Sequence, residues 1–199
     1  MKIKNGEWFV IIFNVLYILA FLLYYLSIKN YEFLWYIAII LFFFFLILFT
    51  IRKTNFDYLV LWGLSLWGFM HMAGGGLIVN GRTLYKFILL PVIQSGEIVV
   101  LKFDQFVHFF GFGVVTIVAY YLLSPYLGKN TNWKVVYPLL ILIGMGAGVL
   151  NELAEFAAVV TFPETGVGGY ANTLLDLIFN AIGAIAGVIV IHFRRKHGG

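Results

Sequence analysis

Asp104 and His108 stand four residues apart in an otherwise apolar stretch, and Glu152 and Glu155 stand three apart in another. Asn172, Asp176 and Asn180 repeat the four-residue step nearer the C-terminus, while His71 shortly precedes Gly74-Gly75-Gly76. Spacings of three and four put side chains on one helix face, so each set presents its polar groups together. Such groups can do three kinds of work. His71, Asp104, His108, Glu155 and Asp176 could ligate a divalent metal ion through imidazole nitrogen and carboxylate oxygen. Without metal, the catalytic candidates Asp104, His108, Glu152, Glu155 and Asp176 could form a proton relay or an acid–base site. Glu152 or Glu155 would then be the base, with Asp104 orienting His108. Third, the same residues could simply hydrogen-bond helix to helix. His71, Asn172, Thr173 and Asn180 are secondary, substrate-binding candidates.

These residues need elements to hold them, and composition says where those elements lie. The 199 residues are 62% hydrophobic and 11% charged, against roughly 25% charged in a soluble domain. The expected class is an all-α integral membrane protein. The absence of Cys excludes thiolate metal sites and cysteine nucleophiles, and neither a P-loop nor a G-x-S-x-G elbow is present. The net charge of +4 comes from segment ends, without the basic stripe of a nucleic-acid binder. The bilayer itself is the expected partner.

About 20 apolar residues cross the hydrocarbon, which predicts six spans. They cover approximately 8–27, 33–51, 58–72, 104–123, 133–160 and 171–193, with the third ended by its glycines. The first span reads as a retained helix rather than a cleaved signal, since its apolar stretch is too long. The whole chain, 1–199, reads as a single transmembrane domain. Two peripheral helices occupy 8–51, and a four-helix polar core occupies 57–193 with a long 74–103 connection. Within that connection, 81–103 is too short and too broken by Pro91 to span, and suggests an interfacial or re-entrant segment.

Placing both termini in the cytoplasm puts nine of the thirteen Lys and Arg inside, including Lys2, Arg52 and Arg194-Arg195-Lys196. That basic C-terminal run, with His192 and His197, reads as an anchor for anionic lipid. Glu97 and Lys102 read as solvated interfacial groups, and the tryptophans as lipid-facing or interfacial anchors. The loop Pro163–Gly169 could be a lid or a plain turn. In this topology His71, Asp104, His108, Glu152, Glu155 and Asp176 all fall within a few turns of the outer boundary. Gly144/Gly148 and Gly183/Gly187 have the small-xxx-small spacing that lets helices approach closely. The polar stripes should therefore meet inside a tight bundle.

The same segments carry a family resemblance. Phe103-Asp104-Gln105-Phe106-Val107-His108-Phe109 resembles the aromatic-D-R-x-x-H-F signature of YjdF-type inner-membrane proteins, a family of unknown function. Glu152-Leu153-Ala154-Glu155-Phe156 is similar to that family's E-x-x-E-aromatic motif, and Asn172-Thr173-Leu174-Leu175-Asp176-Leu177 to its D-T-x-x-D-M motif. Gln105 stands where the family has Arg, and Asn172 where it has Asp. A shorter likeness, through Asp104/His108 and Asp176 to Gly183, links the chain to VanZ-like membrane proteins and implies an envelope setting. The functional expectation is an intramembrane Asp/His/Glu pocket near the extracytoplasmic leaflet of the cell membrane, acting on an envelope lipid or amphipathic substrate. A proton-coupled small-solute transporter and a non-catalytic envelope scaffold are the alternatives.

Overall fold

A computed structural model describes residues 3–95 and 98–197; Lys2 and Glu97, assigned roles above, lie outside the described residues. The fold is built on six long helices: α1 (Asn5–Ser27), α2 (Tyr31–Thr54), α3 (Tyr58–Gly76), α4 (Phe103–Leu123), α5 (Trp133–Thr161) and α6 (Tyr170–His197). Three starts carry side-chain caps expected of Asn and Asp. Asn30 accepts from the Phe33 N–H at 3.0 Å, Asp57 from Val60 at 3.1 Å and Asn132 from Lys134 at 3.1 Å.

All but α3 are long and apolar enough to cross a membrane unaided. The 19 residues of α3 include Trp, Gly, Ser and His, which dilute its hydropathy, so it depends on its neighbours. Asn14 of α1 donates to Ser65 of α3 at 2.6 Å, a buried bond that ties this polar position to another helix. The three glycines are the last residues of α3, which ends at Gly76. A side chain at Gly74 would strike the Tyr85 ring, one at Gly75 the Phe33 ring, and one at Gly76 the Tyr25 hydroxyl at 2.6 Å. They make room for aromatic rings, a tertiary role with no local signature.

Among its described residues, the connection at 81–103 is chiefly antiparallel strand pairing. β1 (Ile78–Val79) pairs with β2 (Arg82–Thr83) around Asn80-Gly81, both at positive φ, the conformation this dipeptide favours in tight hairpins. After a single helical turn at Leu84–Lys86, β3 (Ile88–Ser95) pairs with β4 (Ile98–Lys102). The register slips between Ile88 and Ile93, around Pro91, which has no N–H to give the ladder.

Contacts at the helix ends sort the bundle into two poles. Arg52 at the end of α2 donates to Glu7 at the start of α1, at 3.0 and 2.5 Å. Arg194 near the end of α6 pairs with Asp57 before α3 at 2.5 Å. Beside them the Arg195 guanidinium lies 3.1 Å from the Trp133 ring centroid and donates to the Tyr137 hydroxyl at 2.8 Å. Part of the basic C-terminal run thus fastens helices together, with the Arg195 cation over the Trp133 ring. Trp67 likewise packs inward, edge-on to Phe112 at 5.4 Å.

At the centre, α4 and α6 run backbone against backbone. A Cβ at Gly183 would collide with the Phe109 carbonyl oxygen, and one at Gly187 would lie 2.5 Å from the Gly113 carbonyl oxygen. On α5, Gly148 faces the Asn180 side chain, whose nitrogen would lie 2.5 Å from an added Cβ. The small-residue stripes therefore face inward, as their spacing predicts.

Two predictions follow from these contacts. Gly183→Ala must push backbone rather than a side chain, with an expected cost of about 1–3 kcal/mol; an unchanged thermal midpoint in detergent would refute the close approach. At Asp57, burial pushes the carboxyl up, but the Val60 N–H, Arg194 and the Tyr121 hydroxyl outweigh it and hold the pKa below its ordinary value. Its stabilisation is complete above the unfolded pKa of about 3.9 and is lost as pH falls through the lower folded value. Asp57→Asn should flatten that acid limb in thermal melts.

Candidate functional site

The pole opposite these ion pairs collects the polar residues of four helices. Asp104 and His108 occupy the first two turns of α4, Glu152 and Glu155 the last turns of α5, Asn172 and Asp176 the start of α6, and His71 the end of α3. His108 is the hub. Its Nδ1 lies 3.0 Å from Asn180 Oδ1 and 3.6 Å from Glu152 Oε1. Its Nε2 lies 3.8 Å from Asp104 Oδ1 and 4.0 Å from Glu155 Oε1. With the Asn180 amide oriented oxygen-first, that oxygen accepts, so His108 carries its proton on Nδ1 and, when neutral, presents a lone pair at Nε2. Asp104, expected to orient the ring, stands beyond hydrogen-bond distance; Asn180 performs that task.

Asn172 joins the two aspartates. Its amide nitrogen donates to Asp104 Oδ2 at 3.1 Å and Asp176 Oδ2 at 2.5 Å, while its oxygen accepts from Lys102 Nζ at 2.5 Å. Lys102 is therefore tied to the polar cluster rather than being a freely solvated group. Sequence reasoning missed it because it lies on β4, immediately before the helix, where no helical periodicity marks it. Asn151, also missed, donates to Glu155 Oε1 at 2.8 Å. Thr173 lines the cavity beside Glu152 and Glu155.

His71 lies beside this cluster in separate contacts. The Tyr85 hydroxyl is 2.8 Å from the His71 carbonyl oxygen and 2.6 Å from His71 Nδ1. A hydroxyl has one proton, so it donates to the carbonyl and accepts from Nδ1–H. The Tyr36 ring packs edge-on to His71 at 5.2 Å. Among the described residues, two sets of atoms have metal-ligand spacing, Asp104/His108/Asp176 and His108/Glu152/Glu155, each within 4.8 Å; His71 belongs to neither.

Local strain helps set the approach to α4. Leu101 has φ +73°, uncommon for a side-chain-bearing residue. Gln105 clamps it: its oxygen accepts from the Leu101 and Lys102 N–H groups at 2.5 and 3.0 Å, and its nitrogen donates to the Val99 carbonyl at 3.1 Å. Fully buried, Gln105 shapes the junction that delivers Lys102 and Asp104.

The 162–169 loop borders a cavity of about 370 Å³ between α5 and α6. Glu152 and Glu155 lie on its wall, together with apolar Phe156 and Val159. The loop is tethered to α2, where buried Glu32 accepts from the Gly166 N–H at 2.6 Å and from the Tyr36 hydroxyl at 3.3 Å. It is thus a fastened turn bordering the site.

The family model described as predicted membrane protein (DUF2238) matches residues 9–197, and so takes in the entire polar cluster. The chain belongs to this family. The chain is similar to an uncharacterized protein of Thermotoga maritima, 32% identical over 99 residues. That match covers 48% of this chain and 50% of the relative, so it spans about half the relative's length. No solved structure matches.

Glu32→Ala should release the family member's 162–169 loop. Loss of a buried bond to a charged acceptor is expected to speed hydrogen exchange at Gly166 roughly ten- to hundredfold. Unchanged exchange would show that the tether does not hold the loop.

Proposed function

We propose that this protein binds the polar end of an amphipathic, lipid-like molecule in the Asp/His/Glu pocket and performs acid–base chemistry on it. The observation that carries this reading is the cavity between α5 and α6. Its wall contains both Glu152 and Glu155, whereas Phe156 on the same wall is 61% exposed on a membrane-spanning helix. A ligand entering from the bilayer would keep its apolar part against Phe156 and Val159 while its polar end reached the carboxylates. Such lateral entry avoids taking the apolar part through water. A site walled from lipid would suit a purely structural network better.

Within the pocket, Glu152 is the proposed base. Its Oε1 has no hydrogen-bond partner among the described residues, whereas Glu155 Oε1 already accepts from Asn151. His108, held by Asn180, is the adjacent proton carrier, and Asp104 and Asp176, joined by Asn172, lie behind it in the same polar cluster. Thr173 lies where it would contact the ligand's polar–apolar junction. The basic residues at the opposite pole favour a cytoplasmic location for both termini, so the pocket would open toward the outer leaflet of the cell membrane. The motifs that resemble YjdF-type and VanZ-like proteins supply the polar cluster around His108 that adjoins this cavity, consistent with an envelope substrate.

A diazirine-bearing phosphatidylethanolamine incorporated with the protein into liposomes tests the entry route. Labelling is expected on peptides around Phe156 and Tyr170 above that of the lipid-facing Phe42–Phe49 surface, and Thr173→Trp should remove the excess. Equal labelling of both surfaces, or an excess that survives in a folded Thr173→Trp variant, would overturn the reading.

A further inference from the structure

We infer that the pole around His108 is also a divalent transition-metal site, with His108 Nε2, Asp104 and Asp176 as its protein ligands. This rests on the pocket described above but not on any amphiphile occupying it. His108 Nδ1–H points to Asn180, leaving a lone pair on Nε2 toward the carboxylates of Asp104 and Glu155. Asp176 is 1% exposed, and its Oδ1 has no hydrogen-bond partner among the described residues. Glu152 Oε1 is likewise buried and unpartnered. Lone pairs turned toward one another in a low-dielectric interior repel unless a proton or a metal ion lies between them.

Separation distinguishes a metal ion from a shared proton. A proton shared between such groups draws the heavy atoms to about 2.5–2.9 Å. Here the Nε2 separations from Asp104 and Glu155 are 3.8 and 4.0 Å. An ion with bonds of about 2.0–2.2 Å holds its ligands roughly 3–4.4 Å apart. Asp104, His108 and Asp176 also offer atoms that all lie within 4.8 Å of one another. One imidazole with two carboxylates suits Mn²⁺, Fe²⁺ or Zn²⁺ rather than a thiolate-seeking ion. Asn180 and Asn172 supply the outer hydrogen bonds that fix the imidazole and the aspartates. The ion would be a Lewis acid beside the proposed base, Glu152.

Full-length protein without a histidine tag, stripped with EDTA in detergent, is titrated with Mn²⁺ alone and followed by electron paramagnetic resonance. Stoichiometric binding is expected, with nitrogen modulation from an imidazole ligand. His108→Asn and Asp176→Asn should each weaken binding by at least about tenfold. Absence of binding, binding without nitrogen modulation, or equal affinity in folded variants would overturn the proposal. Should the variants fail to fold, the nitrogen modulation of wild type decides. Photolipid labelling of the EDTA-stripped protein separates the two readings: labelling without Mn²⁺ binding removes the metal and leaves the amphiphile site.

Discussion

At Phe109 and Gly183 the backbones of α4 and α6 come so close that no side chain fits between them, and everything at the polar pole depends on that approach. It places Asn180 against His108, and Asn172 between Asp104 and Asp176. Moving either helix outward by the width of a methyl group would leave polar atoms without partners. In hydrocarbon that outcome is more costly than in water, because no solvent can replace the lost bond. The glycines and the polar residues are thus two halves of one device.

The surrounding structure supports this arrangement from three sides. Gln105 clamps the strained junction at Leu101 and so aims Lys102 toward α6. Glu32 reaches from α2 to fasten the loop between α5 and α6. Ion pairs at the other pole, Glu7 with Arg52 and Asp57 with Arg194, join helix ends that are distant in sequence. The protein consequently has a pole held by paired charges and a pole where carboxylates gather around one imidazole. That asymmetry is what makes a functional reading of the second pole worthwhile.

Much of the site was legible because helices impose a short period. Asp104/His108, Glu152/Glu155 and Asn172/Asp176/Asn180 could be assigned to faces by counting residues, and alternating span direction brought them to one depth. Lys102, Asn151, Tyr85 and Glu32 were harder. Lys102 and Tyr85 lie outside the long helices, while Glu32 acts on a residue 134 positions away. His71 showed the converse: its position near the same depth was readable, but its Tyr85 partner turns it into a neighbouring unit.

The hydrophobic pattern by itself determined that this is a helical membrane protein, where most of its helices begin and end, and which faces are polar. Those properties depend on neighbouring residues and on transfer from water to lipid, which are local quantities. Only the tertiary structure decided that α3 runs through Gly76, that Ile88–Ser95 pairs with Ile98–Lys102, and that Asn180 rather than Asp104 holds His108. Each of those outcomes is set by atoms from a different segment: rings that need space, a strand that needs a partner, an amide within 3.0 Å. Sequence periodicity carries the direction of a side chain, whereas its partner is chosen by how closely two backbones can pack.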